Sequence, residues 1–170
     1  MSIPLADAKS RMAGHLLPPR ALLLSLLAQL PLLVGGWPPA PGGAALATGG
    51  ALIALGLALE VWSDRLFQRN GVGVCPFTPV SRLVDSGPYR FTRNPMYLGL
   101  VAISGGAALA SGVLPNLWTS LVLALWLDRR FVRREEAFLR AALGPAYAAY
   151  ARRVPRWLGW PRRRLESDHA

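Results

Sequence analysis

Residues Ser86 to Gly99 read S-G-P-Y-R-F-T-R-N-P-M-Y-L-G and join a basic, polar segment to an apolar run. The stretch therefore belongs where water meets membrane. Gly87-Pro88 sets a turn, because Pro88 fixes its own φ. Asn94-Pro95 starts a helix, with Asn94 as N-cap and Pro95 at the first helical position. Tyr89, Arg90, Arg93, Asn94 and Tyr97 crowd into this boundary. An interfacial belt accounts for Tyr89, Arg90 and Tyr97 one by one. It does not account for two rigid prolines at both ends of the polar set.

Outward from this boundary, the chain divides into apolar runs. Pro95 to Val113 follows it, with Ser104-Gly105-Gly106 inside. Pro115 to Leu127 comes next and continues without a breaker into D-R-R-F-V-R-R-E-E-A-F-L-R-A-A-L, so the spacing predicts one long helix that leaves the membrane near Asp128. Gly144-Pro145 ends that helix. A short amphipathic stretch, Ala146 to Arg153, precedes V-P-R-W-L-G-W-P. Upstream, Arg65 to Arg93 is a basic loop without helical period, containing Gly71, Gly73, Pro76 and Pro79. Ala44 to Trp62 makes a helix about 28 Å long, enough to span. Its Gly49, Gly50 and Gly56 let a neighbouring helix approach closely, and Glu60 and Asp64 lie one turn apart at its end. Ala21 to Trp37 is the first run, broken near its end by Pro31 and Gly35-Gly36.

Composition supports a membrane protein. The 170 residues are 52% hydrophobic and carry a net charge of +10, almost all from arginine, with Lys9 the single lysine. A mean hydropathy of +0.31 is too high for an ordinary soluble domain. Nucleic-acid binding is disfavoured because the apolar residues form long unbroken runs. Cys75 is the only cysteine, which excludes disulfides within the chain and a thiolate metal cluster. His15 and His169 lie in terminal segments without ligand spacing, so no metal is assigned. Gly71-Val72-Gly73-Val74 lacks the third glycine and the βαβ unit of a dinucleotide fingerprint. A small transporter is disfavoured because the helices lack buried charge near the midplane.

Charge also sets the expected topology. The nineteen basic residues fall in three groups: before the first run, between the second and third, and after the fourth. The turns Pro38 to Gly43 and around Leu114 carry no charge. Four spans place every basic residue on one side, which the positive-inside rule makes cytoplasmic. The expected fold is all-α: a four-span integral membrane bundle with a cytoplasmic cap of loop and C-terminal helices and both termini inside. Residues 1–160 form one domain, and 161–170 a disordered tail. The polar chemistry then collects in Arg65 to Tyr97 and Asp128 to Trp160, folded over one another above the helices.

G-P-Y-R-F-T-R-N-P-M-Y-L-G, a helical hairpin, then R-R-E-E-A-F-L, L-G-P-A-Y-A-A-Y and R-R-V-P-R-W follow in order from about Arg82 to Trp160. This order resembles the membrane methyltransferases typified by isoprenylcysteine carboxyl methyltransferase and the phospholipid methyltransferases. Their Arg-His-Pro-x-Tyr or Arg-Asn-Pro-x-Tyr pattern is Arg93, Asn94, Pro95, Met96, Tyr97 here. The resemblance implies S-adenosylmethionine bound on the cytoplasmic side and a lipophilic acceptor entering from the bilayer. It also implies Ser81, Leu83, Val84, Tyr89, Asn94, Pro95, Met96, Tyr97 and Glu135 at the cofactor. In the eukaryotic isoprenylcysteine enzymes an arginine one turn before that glutamate faces the acceptor; Phe131 stands there here, between arginines.

The chemistry of that cofactor suits these residue types. A carboxylate from Glu135 or Glu136 fits its ribose diol or amino group. Arg93 fits its carboxylate bidentately, and the faces of Tyr89 and Tyr97 fit its sulfonium. The bland reading of each glutamate is a helix-face charge paired with Arg129, Arg133 or Arg140. For Tyr147 and Tyr150, packing of the terminal helix is the expected role. Asn94 cannot titrate, so the motif supplies no general base, and an acceptor that is already anionic fits best. A phospholipid amine would need Glu135, Glu136 or Asp85 as base. Arg130 or Arg134 would hold the anionic group of a carboxylate or thiolate acceptor. The contrasting function is a non-catalytic membrane protein whose arginine-rich face binds anionic lipid or a partner.

The charge distribution makes a direct prediction. Reporter fusions after Trp37 and Gly112 read as external, and fusions at Arg69 and the C-terminus as internal. A cytoplasmic reading at Gly112 would end the four-span topology.

Overall fold

The computed structural model describes residues 17–34, 41–70 and 83–159, and all regular structure among them is helical. The N-terminal arm, the loop tip with Ser81 and Cys75, Trp160 and the expected tail lie outside the described residues.

Helix α1 is Pro18–Leu27, and a short α2, Leu30–Val34, follows it. The sequence reading places a break in the Ala21 to Trp37 run at Pro31 and Gly35-Gly36, and the first break falls at Ala28-Gln29, three residues before Pro31. The cause is Pro31, which lacks an N–H and whose ring collides with the carbonyl four residues earlier. The break turns Gln29 inward. Its side chain is 3% exposed and donates to the Ser104 carbonyl at 3.2 Å and to Thr119 Oγ1 at 3.1 Å. Next to it, the hydroxyls of Ser25, Ser104 and Ser120 form a chain with both links at 2.8 Å. These bonds tie α1 to the two later helices where hydrophobic packing is weak as glue.

Helix α3, Gly43–Arg69, has 27 residues and is the one described helix long and apolar enough to cross a bilayer. Only 11% of its most apolar window is buried, and Leu46, Leu55, Leu57, Val61 and Trp62 face outward. Lipid is the natural solvent for such a face. Helix α4, Pro95–Ala110, is equally apolar but has 16 residues, and α1 has 10. It packs antiparallel on α3 along a glycine seam. A Cβ on Gly56 would meet the Gly99 carbonyl at 2.7 Å, and one on Gly106 would meet the Gly49 carbonyl at 2.7 Å. The helices therefore touch backbone to backbone. Of the expected small residues, Gly49 and Gly56 make this seam, while Gly50 faces open space.

After a single-turn 3₁₀ segment at Leu114–Asn116, helix α5, Leu117–Leu127, passes through one π turn, Asp128–Val132, into α6, Arg133–Leu143. The long helix of the sequence reading is thus continuous, with its irregularity at the predicted membrane exit. Gly144 takes φ +51°, a conformation that suits glycine, and Pro145 opens α7, Pro145–Arg153. Tyr147, Tyr150 and Val154 bury against Leu83, Leu139 and Leu143. Tyr150 Oη donates to the Tyr89 carbonyl at 2.8 Å, so the packing role expected for both tyrosines is what the fold shows.

The seam predicts an asymmetric response to one added methyl group. Gly106→Ala forces backbone apart and lowers stability by about 1–3 kcal/mol. Gly50→Ala is neutral or slightly stabilising, since it adds helix propensity into open space. Unfolding of the purified variants in mixed micelles separates the two.

Candidate functional site

The turn quoted at the outset folds as read, with one difference in detail. Gly87–Arg90 forms a 3₁₀ turn on Gly87 at φ +58°. Pro95 opens α4, and Asn94 stands at the N-cap position. Its side chain makes no capping bond. Asn94 Nδ2 instead donates to the Arg156 carbonyl at 3.0 Å, and Thr92 Oγ1 donates to the same carbonyl at 3.2 Å. The Arg93 amide donates to the Pro155 carbonyl at 3.0 Å. The segment after α7 therefore lies as a strap across the start of α4.

The strap is locked electrostatically. Glu136, 2% exposed, receives Arg156 through Nε at 3.0 Å and Nη2 at 2.8 Å, a bidentate fork. Arg140 Nη2 donates to it at 3.1 Å. Arg93 Nη1 lies 3.0 Å from Glu136 Oε1 but off the hydrogen-bond direction, so that contact is ionic only. About two helical turns earlier, Asp128 receives Arg133 Nε at 2.7 Å, Trp157 Nε1 at 3.3 Å and Arg156 Nη1 at 3.5 Å. Burial pushes the Asp128 carboxyl up, but the bonds from Arg133 and Trp157 and the charge of Arg156 outweigh it and hold it below the usual range. Arg156 and Asp128 carry this lock, and the sequence reading gave neither a role. The R-R-V-P-R-W motif was the available signal.

Glu135, beside Glu136 in sequence, has different surroundings. Tyr97 Oη donates to Glu135 Oε1 at 2.5 Å, joining the Arg-Asn-Pro-Met-Tyr turn to the R-R-E-E segment across 38 positions of chain. Burial pushes the Glu135 carboxyl up, and the tyrosine bond offsets only part of that. Tyr89, 7% exposed, stacks at a tilt on Phe67 at 5.2 Å. Its phenol is pushed far up by burial, with the charges of Tyr150, Glu135 and Glu60 adding to the effect, so it stays neutral. Two further α3 residues reach this region. Glu60 Oε1 and Ser63 Oγ are buried without a hydrogen-bond partner. Ser63 lies beside Tyr89, without an aligned bond to it. Both share the seam face of α3, four and seven residues beyond Gly56, a helical spacing visible in the sequence.

The sequence-predicted residues are therefore sorted. Tyr89, Tyr97 and Glu135 converge. Pro95 and Met96 occupy the first turn of α4 next to them. Leu83 and Val84 belong to the cap, where Leu83 packs on Tyr147 and its neighbours. Arg93 is mostly buried, and its Nε and Nη1 have no hydrogen-bond partner. Glu136 has both oxygens occupied by arginines. Arg130 lines a shallow outer groove with Val122, Leu125, Trp126 and Arg129, while Arg134 is exposed outside it. Trp126 reaches Phe131 at 5.4 Å and Phe131 reaches Tyr97 at 6.2 Å, so aromatic rings connect the groove to the Tyr97–Glu135 pair. Among the described residues no group of His, Cys, Asp and Glu is arranged to hold a metal ion.

A family model described as phospholipid methyltransferase matches residues 44–146, well over half of the chain. The cobalt-zinc-cadmium resistance protein CzcN of Cupriavidus metallidurans is 38% identical over 74 residues. That stretch covers 43% of this chain and 33% of that relative, so the chain matches about a third of the relative's length. No solved structure matches significantly.

The lock predicts a graded loss of stability. Glu136→Ala leaves Arg93 and Arg140 without their counter-charge and Arg156 with Asp128 alone, and lowers stability by about 3–5 kcal/mol. Arg140→Ala, at a half-exposed rim position, changes it by less than about 1 kcal/mol. Asp128 adds a pH dependence of known sign. Its folded carboxyl is depressed, so its contribution is present above the ordinary carboxylate range and is lost as pH falls through the lowered value. Denaturant titrations between neutral and strongly acidic pH read all three effects.

Proposed function

This chain belongs to the phospholipid methyltransferase family, a family of membrane methyltransferases, and we propose that it uses S-adenosylmethionine to methylate an amphiphilic acceptor at the cytoplasmic face of a bilayer. The observation that carries the reading is the Tyr97–Glu135 hydrogen bond, which brings the two motifs suited to that cofactor to one point. The residues present fit it. Arg93 offers buried guanidinium nitrogens without hydrogen-bond partners for its carboxylate. Glu135 is a half-buried carboxylate for its diol or amino group. Tyr89 and Tyr97 offer ring faces to its sulfonium. Ser81, assigned to the same site, lies outside the described residues. In this reading Glu136 positions Arg93 and does not touch the cofactor.

The bound cofactor supplies an electrophilic methyl group on a good leaving group. Displacement at that carbon needs alignment and exclusion of water above all. The cap provides both: the strap fixes the first turn of α4, and Tyr147, Tyr150 and Val154 seal it above. The acceptor enters through the groove on α5. Its chain lies along Val122, Leu125 and Trp126, and its anionic group sits beside Arg129 and Arg130. That anion is shared by two acceptor classes. In an isoprenylcysteine carboxyl-type reaction it is the group methylated; in a phospholipid N-methyltransferase it is the phosphate that anchors the headgroup. Arg134 is a more exposed alternative to Arg130. Four spans, cytoplasmic termini and a single domain over residues 1–160 complete the proposed arrangement.

Calorimetry with the purified protein tests it. Wild-type protein binds S-adenosylmethionine saturably, and Glu135→Gln weakens binding at least tenfold, about 1.4 kcal/mol. Arg93→Ala weakens it as much and also loosens the cap. Arg130→Ala leaves binding intact and lowers labelled methyl transfer to membrane lipid. Absence of cofactor binding would leave a basic, non-catalytic membrane protein.

A further inference from the structure

One half-buried carboxyl is left unexplained by packing and by the cofactor. Glu60 sits near the cytoplasmic end of α3 with Oε1 buried and unpartnered. An ionisable group with no partner in apolar surroundings is costly to keep. The glycine seam shows that the fold makes room for it. The antiparallel register of Gly56 on Gly99 places Glu60 against the first turns of α4, and a Cβ on Gly99 would stand 3.0 Å from Glu60 Oε1. A second polar group is held there in the same condition: Ser63 is fully buried and its Oγ has no hydrogen-bond partner.

The groups facing this point are named by element. Asp64 lies on the same helix and acts on Glu60. Tyr89 comes from the 3₁₀ turn, Tyr97 from α4 and Glu135 from α6. Glu60, Asp64 and Glu135 are acidic, both phenols are neutral donors, and Arg93 faces Glu136 and, in the reading above, the cofactor carboxylate. A second anion has no favourable place among them, whereas a cation does.

Resting on the methyltransferase reading above, we propose that Glu60 is the proton acceptor of this site and that the methylated atom is the nitrogen of a primary or secondary ammonium headgroup. The headgroup ammonium donates its proton to Glu60 Oε1. The freed nitrogen lone pair forms the new N–C bond to the donor's methyl carbon as the C–S bond breaks, its electron pair leaving on sulfur. The product is a methylated ammonium, the donor becomes a neutral thioether, and Glu60 passes its proton to water when the acceptor departs. Ser63 Oγ orients the headgroup nitrogen against Glu60. A base is needed because an amine of lysine-like basicity is free in only about one molecule in 10³ near pH 7. General-base help of about 10²–10⁴-fold is the size of effect a positioned carboxylate supplies.

The test uses the full chain in nanodiscs of phosphatidylglycerol and phosphatidylcholine, as wild type, Glu60→Gln, Glu60→Asp and Ser63→Ala. S-adenosylmethionine binding is measured by calorimetry, and labelled methyl transfer to phosphatidylethanolamine and to a prenylated thiol-acid is followed from pH 6 to 10. Glu60→Gln is expected to bind the cofactor within twofold of wild type. Its transfer to phosphatidylethanolamine falls about 100-fold at pH 7 and recovers about tenfold per pH unit as the amine deprotonates unaided. Glu60→Asp recovers part of the rate, and Ser63→Ala raises KM more than it lowers kcat. Cofactor binding lost in Glu60→Gln would assign Glu60 to the cofactor and overturn the proposal. So would an unchanged rate and pH profile. Wild-type transfer to the prenylated acid alone would overturn the role of Glu60 and leave the methyltransferase reading standing. Wild-type protein that binds no cofactor would overturn both.

Discussion

A buried glutamate ringed by arginines ties the C-terminal half of this structure together. Glu136 lies on α6, Arg93 on the turn before α4, Arg140 on α6 and Arg156 on the strap. Three separate parts of the cap therefore meet on one carboxylate. Pairing of this kind is weak as net stabilisation, because desolvation offsets much of the attraction, but it is severe when one member is removed. Its consequence is positional. With Arg156 fixed, the strap carbonyls of Pro155 and Arg156 reach the Arg93 amide and the Asn94 side chain. The start of α4, and Tyr97 with it, is thereby held relative to α6 and Glu135.

Below the cap a different physics applies. Lipid gives helices little hydrophobic reason to associate, so contact comes from close packing and hydrogen bonds. The glycine seam of α3 on α4 supplies the first, and the Ser25–Ser104–Ser120 chain with Gln29 supplies the second. The seam ends at Gly56 and Gly99, and there the polar residues Glu60 and Ser63 begin. Close packing and unpartnered polar groups are thus consecutive stretches of one helix face. The outer face of α5 carries a groove lined by Val122, Leu125 and Trp126 together with Arg129 and Arg130.

The two neighbouring glutamates show how much placement decides. Glu135 and Glu136 differ by one position, about 100° around a helix. That rotation sends one to Tyr97 and the other into three arginines. The same logic separates Arg93, drawn inside by Glu136, from Arg130, left on the groove. It also separates Gly49 and Gly56, which touch the next helix, from Gly50, which touches nothing.

Residue order alone determined the helical class, the boundary at Ser86 to Gly99, the helix start at Pro95 and the stop at Gly144-Pro145. Each rests on local chemistry: the fixed φ of proline, the freedom of glycine, and the length of an apolar run against a bilayer. The motif order also determined the family. Pro31 marked the break in the first run, but tertiary structure alone decided that Gln29 at that break reaches Ser104. It decided that Asn94 bonds the strap and not its own helix, since the Arg156 carbonyl comes from 62 residues away. And it decided that Glu60, read in sequence only as an acid near the end of a span, belongs with Tyr89, Tyr97 and Glu135. A helix face can be counted from the sequence, but which partner that face meets depends on contacts between residues far apart in the chain.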